Sequence, residues 1–199
     1  MRHDASGTSR LGGRLIFLIG PSGSGKDSLI DAARVHLLEN GVEVARRVIT
    51  RSAESRGEAA LSVSPEVFEQ MCEDGEFAMH WQANGLQYGI PVQVNEWLSS
   101  GRHVLVNGSR GYLPEARRRY PNLLAIRLEV APQVLRERLL TRGREAVEQV
   151  EQRLARSALL QAGDDPDVHV LDNSTSLADT VKALLRLLVE EGVIAQPAV

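Results

Sequence analysis

Residues 20–28 read GPSGSGKDS and follow directly on the apolar run LIFLI at 15–19. Gly20, four intervening residues, Gly25 and Lys26 have the spacing of a phosphate-binding loop. In such a loop glycines let the backbone curl until its N–H groups converge on phosphate oxygens. The positive end of the following helix points at the same anion. The lysine reaches the β- and γ-phosphates. The ATP-binding set is therefore Gly20, Pro21, Ser22, Gly23, Ser24, Gly25, Lys26, Asp27 and Ser28. An ordinary glycine-rich turn needs neither the apolar strand before it nor a lysine in register at a helix start.

The residue after the lysine is the anomaly. A hydroxyl that touches Mg2+ is the rule there, and this chain has Asp27. An acidic residue in the first helical turn meets the macrodipole favourably, a gain of about 0.3–1 kcal/mol. Asp27 thus has two readings, a helix-start residue or a metal ligand with Ser28 as its auxiliary.

The elements that must position this loop follow from the apolar pattern. Short runs at 15–19, 43–49, 103–107, 123–130 and 168–171 read as buried parallel strands. Helical stretches at 26–39, 92–100, 132–142 and 177–191 separate most of them, bounded by Gly41, Gly101, Pro132, Gly143 and Gly192. The alternation predicts an α/β fold with a five-stranded parallel sheet flanked by helices. Residues 50–91 break it: a polar loop, a short helix opened by Ser64-Pro65, and FAMHWQ and LQYGI on either side of the hairpin signal Asn84-Gly85. A small subdomain inserted between the second and third core strands is expected. Residues 1–13, small and polar, are expected to be a disordered tail ahead of one domain over 14–199.

Composition narrows the function classes. With 23 basic and 26 acidic residues the formal charge is -3, which excludes a general nucleic-acid binder but permits a local basic pocket. The single cysteine, Cys72, excludes an intramolecular disulfide, and the five histidines lack metal-ligand spacing, so a reducing cytoplasm is expected. No apolar run approaches the ~20 residues of a membrane span.

GPSGSGK, the pair Thr50-Arg51, GEF at 75–77, YG at 88–89, RERLLTRG at 136–143 and QRL at 152–154 resemble the guanylate kinase family across almost the whole chain past residue 14. The resemblance implies a P-loop kinase fold with an acceptor-binding subdomain (50–91) and a helical lid (136–156). It implies that Arg51 and Tyr88 hold the acceptor phosphate, and that Arg138, Arg142 and Arg153 close with Lys26 on the transferring phosphoryl group. Arginine forks suit this because they neutralise several phosphate oxygens at once. Taken alone, Arg138 and Arg142 lie four apart and would equally make a solvated helix face. The phosphate loop favours the functional reading. Arg117 to Arg119 have no such support and read as surface.

The departures from the family are informative. Its guanine contacts, a Glu just before the Trp of GEFxEW and a hydroxyl after YG, correspond here to Met79 and Ile90. Its third core strand ends in carboxylates, whereas this chain has VLVNGSRG, with Val106, Asn107, Gly108, Ser109 and Arg110. Asn107, Ser109 and Arg110 join the acceptor-binding candidates, although Asn107 and Ser109 read equally as strand-end capping groups. The lost strand carboxylates favour the metal reading of Asp27. GPSGSGKDSL, ITR, WxANGLxYG and VLVNGSR together resemble one branch of the family, which phosphorylates ribose 1,5-bisphosphate in phosphonate breakdown. That resemblance implies ATP as donor, Mg2+ as cofactor, and 5-phosphoribosyl 1-diphosphate and ADP as products. Guanylate kinase itself and a non-catalytic interaction module are the alternatives.

Overall fold

The computed structural model describes residues 12–50, 60–141, 143, 146–161 and 165–196, the side chains of 153 and 156–161 excepted. Most of the expected tail, and Arg51 and Arg142 with the side chain of Arg153, therefore lie outside the described residues.

The chain runs β1 (Leu15–Ile19), α1 (Lys26–Glu39), β2 (Val42–Val44), β3 (Val48–Ile49), β4 (Leu61–Ser62), α2 (Pro65–Glu73), β5 (Phe77–Ala83), β6 (Leu86–Pro91), α3 (Gln93–Ser99), β7 (His103–Asn107), a 3-10 turn (Arg110–Tyr112), α4 (Leu113–Arg119), β8 (Leu124–Glu129), α5 (Pro132–Thr141), α6 (Val147–Gln161), β9 (Val168–Asp172) and α7 (Leu177–Glu190). The core sheet has five parallel strands in the order β2-β7-β1-β8-β9. A second sheet, in the order β4-β3-β6-β5, is built around the β5–β6 hairpin. Asn84 and Gly85, with φ of 52° and 74°, make the turn that their sequence predicts.

Alternation along β1 distributes the core to both faces of the sheet. Ile16 and Leu18 pack with Leu29, Ala33 and Leu37 of α1 and Leu184 and Leu188 of α7. Leu15, Phe17 and Ile19 pack with Val94 of α3, Leu113 and Ala116 of α4, and Met79 and Ile90 of the hairpin. Met79 and Ile90 are cross-strand partners with no exposed surface. The two positions that correspond to guanine contacts in the family are thus part of the wall that joins the second sheet to the core.

The continuous strand expected at 43–49 is broken. β2 ends at Val44, although Ala45 N still donates to Leu105 O at 3.0 Å, and β3 resumes at Val48 in the other sheet. Two consecutive arginines cannot both enter a strand with two apolar faces. Here they leave the core ladder and donate to carbonyls instead, Arg46 to Ala60 O at 3.3 Å and Arg47 to Asn107 O at 3.2 Å.

Arg117, expected at the surface, is a tether. It donates with both terminal nitrogens to Asp165 and reaches Asp167 O at 3.2 Å, anchoring α4 to the turn before β9. Hydrogen bonding from Arg117 lowers the Asp165 pKa below the ordinary 3.8. A depressed folded pKa stabilises the protein above the unfolded value and ceases to do so as pH falls through the folded one. Arg117→Ala is expected to lower Tm by about 1–3 °C at pH 7, since the pair is partly exposed. In thermal melts from pH 7 to pH 2.5 the gap to the wild type should close below pH 3.8. A gap constant across that range would rule out the ion pair as its source.

Candidate active site

The phosphate loop is shaped by neighbours that leave no room for side chains. Gly23 has φ 95°, and a Cβ there would come within 2.8 Å of Leu139 Cδ2. Gly25, the N-cap of α1, has φ 93°, and its Cβ would lie 2.6 Å from Asn173 Nδ2. Both conformations belong to glycine, and both sites are closed sterically as well.

Asn173 fixes the loop from beneath. It is 2% exposed, and its Nδ2 donates to Ser24 O at 2.7 Å. Its backbone N donates to Glu129 O at 2.8 Å, and its Oδ1 accepts from Thr180 Oγ1 at 2.9 Å. One residue, through its backbone N–H and its side-chain amide, thereby ties the ends of β8 and β9 and the start of α7 to the loop. Sequence reasoning missed it. The available signal was a lone asparagine just past the last apolar run, at the carboxyl end of a parallel strand, where α/β proteins bind ligands.

Lys26 Nζ donates to Gly20 O at 2.8 Å and Pro21 O at 3.1 Å, which keeps the ammonium at the loop. Arg138, near the end of α5, also reaches it: Nη1 lies 3.9 Å from where a Gly25 Cβ would stand. α5 and α6 form a pair closed by Leu135, Leu139 and Val150 and by the Arg136–Glu151 bridge at 2.6 Å.

Asp27 projects from the first turn of α1 and meets the end of β7. Asn107 Nδ2 donates to its Oδ1 at 2.6 Å, and Arg47 Nη2 stands 3.5 Å from the same oxygen. Asn107 is 4% exposed, and its Oδ1 is buried without a hydrogen-bond partner among the described residues. The side chain of Arg47 is 11% exposed and lies over the ring of Tyr88, 5.4 Å from its centroid. Tyr88 stacks on Trp81 at 5.7 Å, and Trp81 meets Tyr112 at 5.4 Å. Asp27, Arg47 and Asn107 line a cleft with Asp31, Arg34 and Ala60. Arg47, Trp81 and Tyr112 were not among the expected site residues.

The other expected residues fall around this group. Ser28 is exposed on α1, and Ser109 is half-buried ahead of the 3-10 turn, where its carbonyl accepts from Tyr112 N at 3.1 Å. Arg110 lies within electrostatic reach of Arg127 and Glu129, which pair at 2.8 Å. Burial, reinforced by the Arg127 charge and opposed by Glu129, lowers its pKa. Among the described residues no three His, Cys, Asp or Glu side chains gather into a metal cluster.

No protein-family model matches the chain. It is 61% identical over 178 residues to the ribose 1,5-bisphosphate phosphokinase PhnN of Azotobacter vinelandii, covering 89% of this chain and 97% of that protein. The protein of the same name from Pseudomonas fluorescens is 58% identical over 179 residues, covering 88% and 94%. Among solved structures, guanylate kinase from Anaplasma phagocytophilum superposes with a TM-score of 0.65 at 20% identity, covering 92% of this chain and 88% of that one, a likeness of fold.

Asn173→Asp turns an oxygen toward Ser24 O in place of the amide donor. Leaving a buried carbonyl unsatisfied costs about 1–3 kcal/mol, so ATP-analogue affinity measured by calorimetry should fall by roughly tenfold or more. A lower Tm with unchanged nucleotide affinity would show that the amide serves the fold alone.

Proposed function

The chain belongs to the ribose 1,5-bisphosphate phosphokinase family, and we propose that it carries out that reaction at the junction where Asp27, Asn107, Arg47 and Tyr88 meet the phosphate loop. The enzyme is a phosphotransferase that converts ribose 1,5-bisphosphate and ATP to 5-phosphoribosyl 1-diphosphate and ADP. An oxygen of the 1-phosphate attacks the γ-phosphorus. The bond from that phosphorus to the β–γ bridging oxygen breaks, and ADP departs with the electron pair. A phosphate monoester has a second pKa of about 6 and is mostly dianionic at pH 7, so no protein base is required. The observation that carries this reading is the Asp27 carboxylate, held at the end of the phosphate loop beside an arginine that lies on Tyr88.

Residues 20–28 hold the triphosphate, and Lys26 neutralises its β- and γ-oxygens. Arg138, placed at the loop, acts on the transferring group together with Arg142 and Arg153. Arg51, Tyr88, Asn107, Ser109 and Arg110 form the acceptor side. The divalent cation that ATP-dependent kinases use is Mg2+, held by Asp27 with Ser28 as auxiliary. The donor set suits it: a carboxylate with one oxygen pinned by Asn107, and the buried amide oxygen of Asn107 itself. Mg2+ is commonly bound by one or two carboxylates plus phosphates and water. When bound it neutralises phosphate charge and aligns the transferring group. The single cysteine is consistent with work in the cytoplasm. No helix among the described residues is long and apolar enough to cross a membrane.

Two experiments test this assignment. With Met79 and Ile90 buried against the core, no polar group from those positions can pair with a guanine edge. kcat/KM for ribose 1,5-bisphosphate should therefore exceed that for GMP by about a hundredfold or more, and comparable values would return the chain to the nucleotide kinases. Asp27→Ala should raise the Mg2+ concentration for half-maximal turnover by about tenfold, the scale of a lost charged ligand contact, beyond any loss of ligand-free Tm from the freed Asn107 amide. An unchanged Mg2+ dependence with a lowered Tm would reduce Asp27 to a helix-start residue.

A further inference from the structure

Arg47 occupies the three-residue passage between β2 and β3, where the chain leaves the core sheet for the second sheet. Its side chain thus spans the cleft between the donor and acceptor sides. A guanidinium with only 11% of its side chain exposed is costly to bury and is kept where its charge is used. Its neighbours come from both sides: Asp27 Oδ1 at 3.5 Å from the donor side, Asn107 O at 3.2 Å and the Tyr88 ring at 5.4 Å from the acceptor side.

The Asp27 contact is loose. A committed charge-assisted bond closes to about 2.7–2.9 Å, whereas this pair stands at 3.5 Å. The same carboxylate oxygen is held at 2.6 Å by Asn107. Asp27 therefore keeps its orientation without Arg47, and Arg47 can be drawn away without freeing the carboxylate. A divalent cation at Asp27 repels the guanidinium, since like charges sharing one carboxylate within about 4–6 Å oppose each other. A dianionic phosphate beside Tyr88 attracts it.

We propose that Arg47 is a ligand of the acceptor's phosphate, exchanged between Asp27 and the acceptor so that Mg2+·nucleotide and acceptor each strengthen the binding of the other. This rests on the reading that Asp27 faces the metal–nucleotide and Tyr88 the acceptor. The coupling is a free energy between two sites and is reciprocal by linkage. The exchange also supplies order: the acceptor's phosphate gains its cation only once the donor side is occupied, which disfavours acceptor binding to an enzyme with nothing to transfer.

Calorimetry of ribose 1,5-bisphosphate binding tests this, with and without Mg2+ and a non-hydrolysable ATP analogue. The wild type should bind the acceptor about tenfold more tightly with Mg2+·analogue, within the usual range of coupling between sites. In Arg47→Gln that ratio should fall to within about twofold of unity, with acceptor affinity reduced and Mg2+·analogue affinity undiminished or raised. Asp27→Asn leaves Arg47 untouched and lowers its restraint, so acceptor affinity without nucleotide should rise toward the wild-type value with nucleotide. This second variant decides the matter if Arg47→Gln does not fold. Full coupling in Arg47→Gln, or unchanged acceptor affinity in Asp27→Asn, would overturn the proposal and leave the assigned reaction standing. A wild type that binds no ribose 1,5-bisphosphate in either condition, yet binds the analogue, would overturn the assigned reaction itself.

Discussion

The backbone conformation of the loop at 20–25 constrains the elements around it. The loop has left-handed backbone at Gly23 and Gly25 and allows no side chain at either. Glycine adopts that backbone freely but loses much conformational freedom on folding, so the loop is held by what surrounds it. Asn173 fixes it through Ser24 O, while Leu135 and Leu139 of α5 close against Gly23. Those contacts dictate where β8, β9, α5 and α7 end and begin. The parallel sheet then supplies its carboxyl edge to the same point, with Asn107 from β7 on one side and Glu129 from β8 on the other.

Charge near that loop is distributed in an unusual way, and the Asn107–Asp27 bond makes it intelligible. The strand end carries a neutral amide, which brings no negative charge but can orient one that arrives from the helix. At 2.6 Å the amide fixes one oxygen of Asp27. The buried cost of this arrangement is offset by Arg47, whose charge stands near both Asp27 and the Asn107 carbonyl. A carboxylate in the first turn also meets the helix dipole favourably. The helix-start reading and the metal reading of Asp27 therefore describe compatible effects at a single position.

What was legible in the sequence was mostly local. The loop, the Asn84-Gly85 hairpin and the start of α2, where Ser64 Oγ accepts from Val67 N at 3.3 Å, each follow from residues within a few positions of one another. The break at 45–47 was not legible, because EVARRVI has the same pattern whether its strands join one sheet or two, and the choice is made by partners elsewhere in the chain. Arg47 and Asn173 were missed for the same reason: their partners lie 60 and 149 residues away. Among Arg117 to Arg119, the surface reading suits Arg118, paired with Glu115 one turn away. It fails for Arg117, whose partner Asp165 is 48 residues on. The chemistry of Met79 and Ile90 was readable, but their place in the core was not.

That placement bears on how the site selects its acceptor. A nucleobase is recognised along an edge, by polar groups left unpaired when the base is absent. The cross-strand pair Met79 and Ile90 presents no such groups and instead welds the second sheet to β1 and β7. The column Tyr112, Trp81, Tyr88 and Arg47 runs from the 3-10 turn toward Asp27 and ends in a cation. Flat apolar faces closed by a charge suit a small ring that carries a phosphate, and selectivity then comes from the distance between charges. A sugar with phosphates at both ends meets such a criterion, whereas a nucleoside monophosphate has one phosphate and a base for which Met79 and Ile90 offer no partner. On the proposed acceptor side, the apolar pair Met79 and Ile90 and the buried Arg47 thus act in the same direction, favouring placement of charge over a hydrogen-bond pattern.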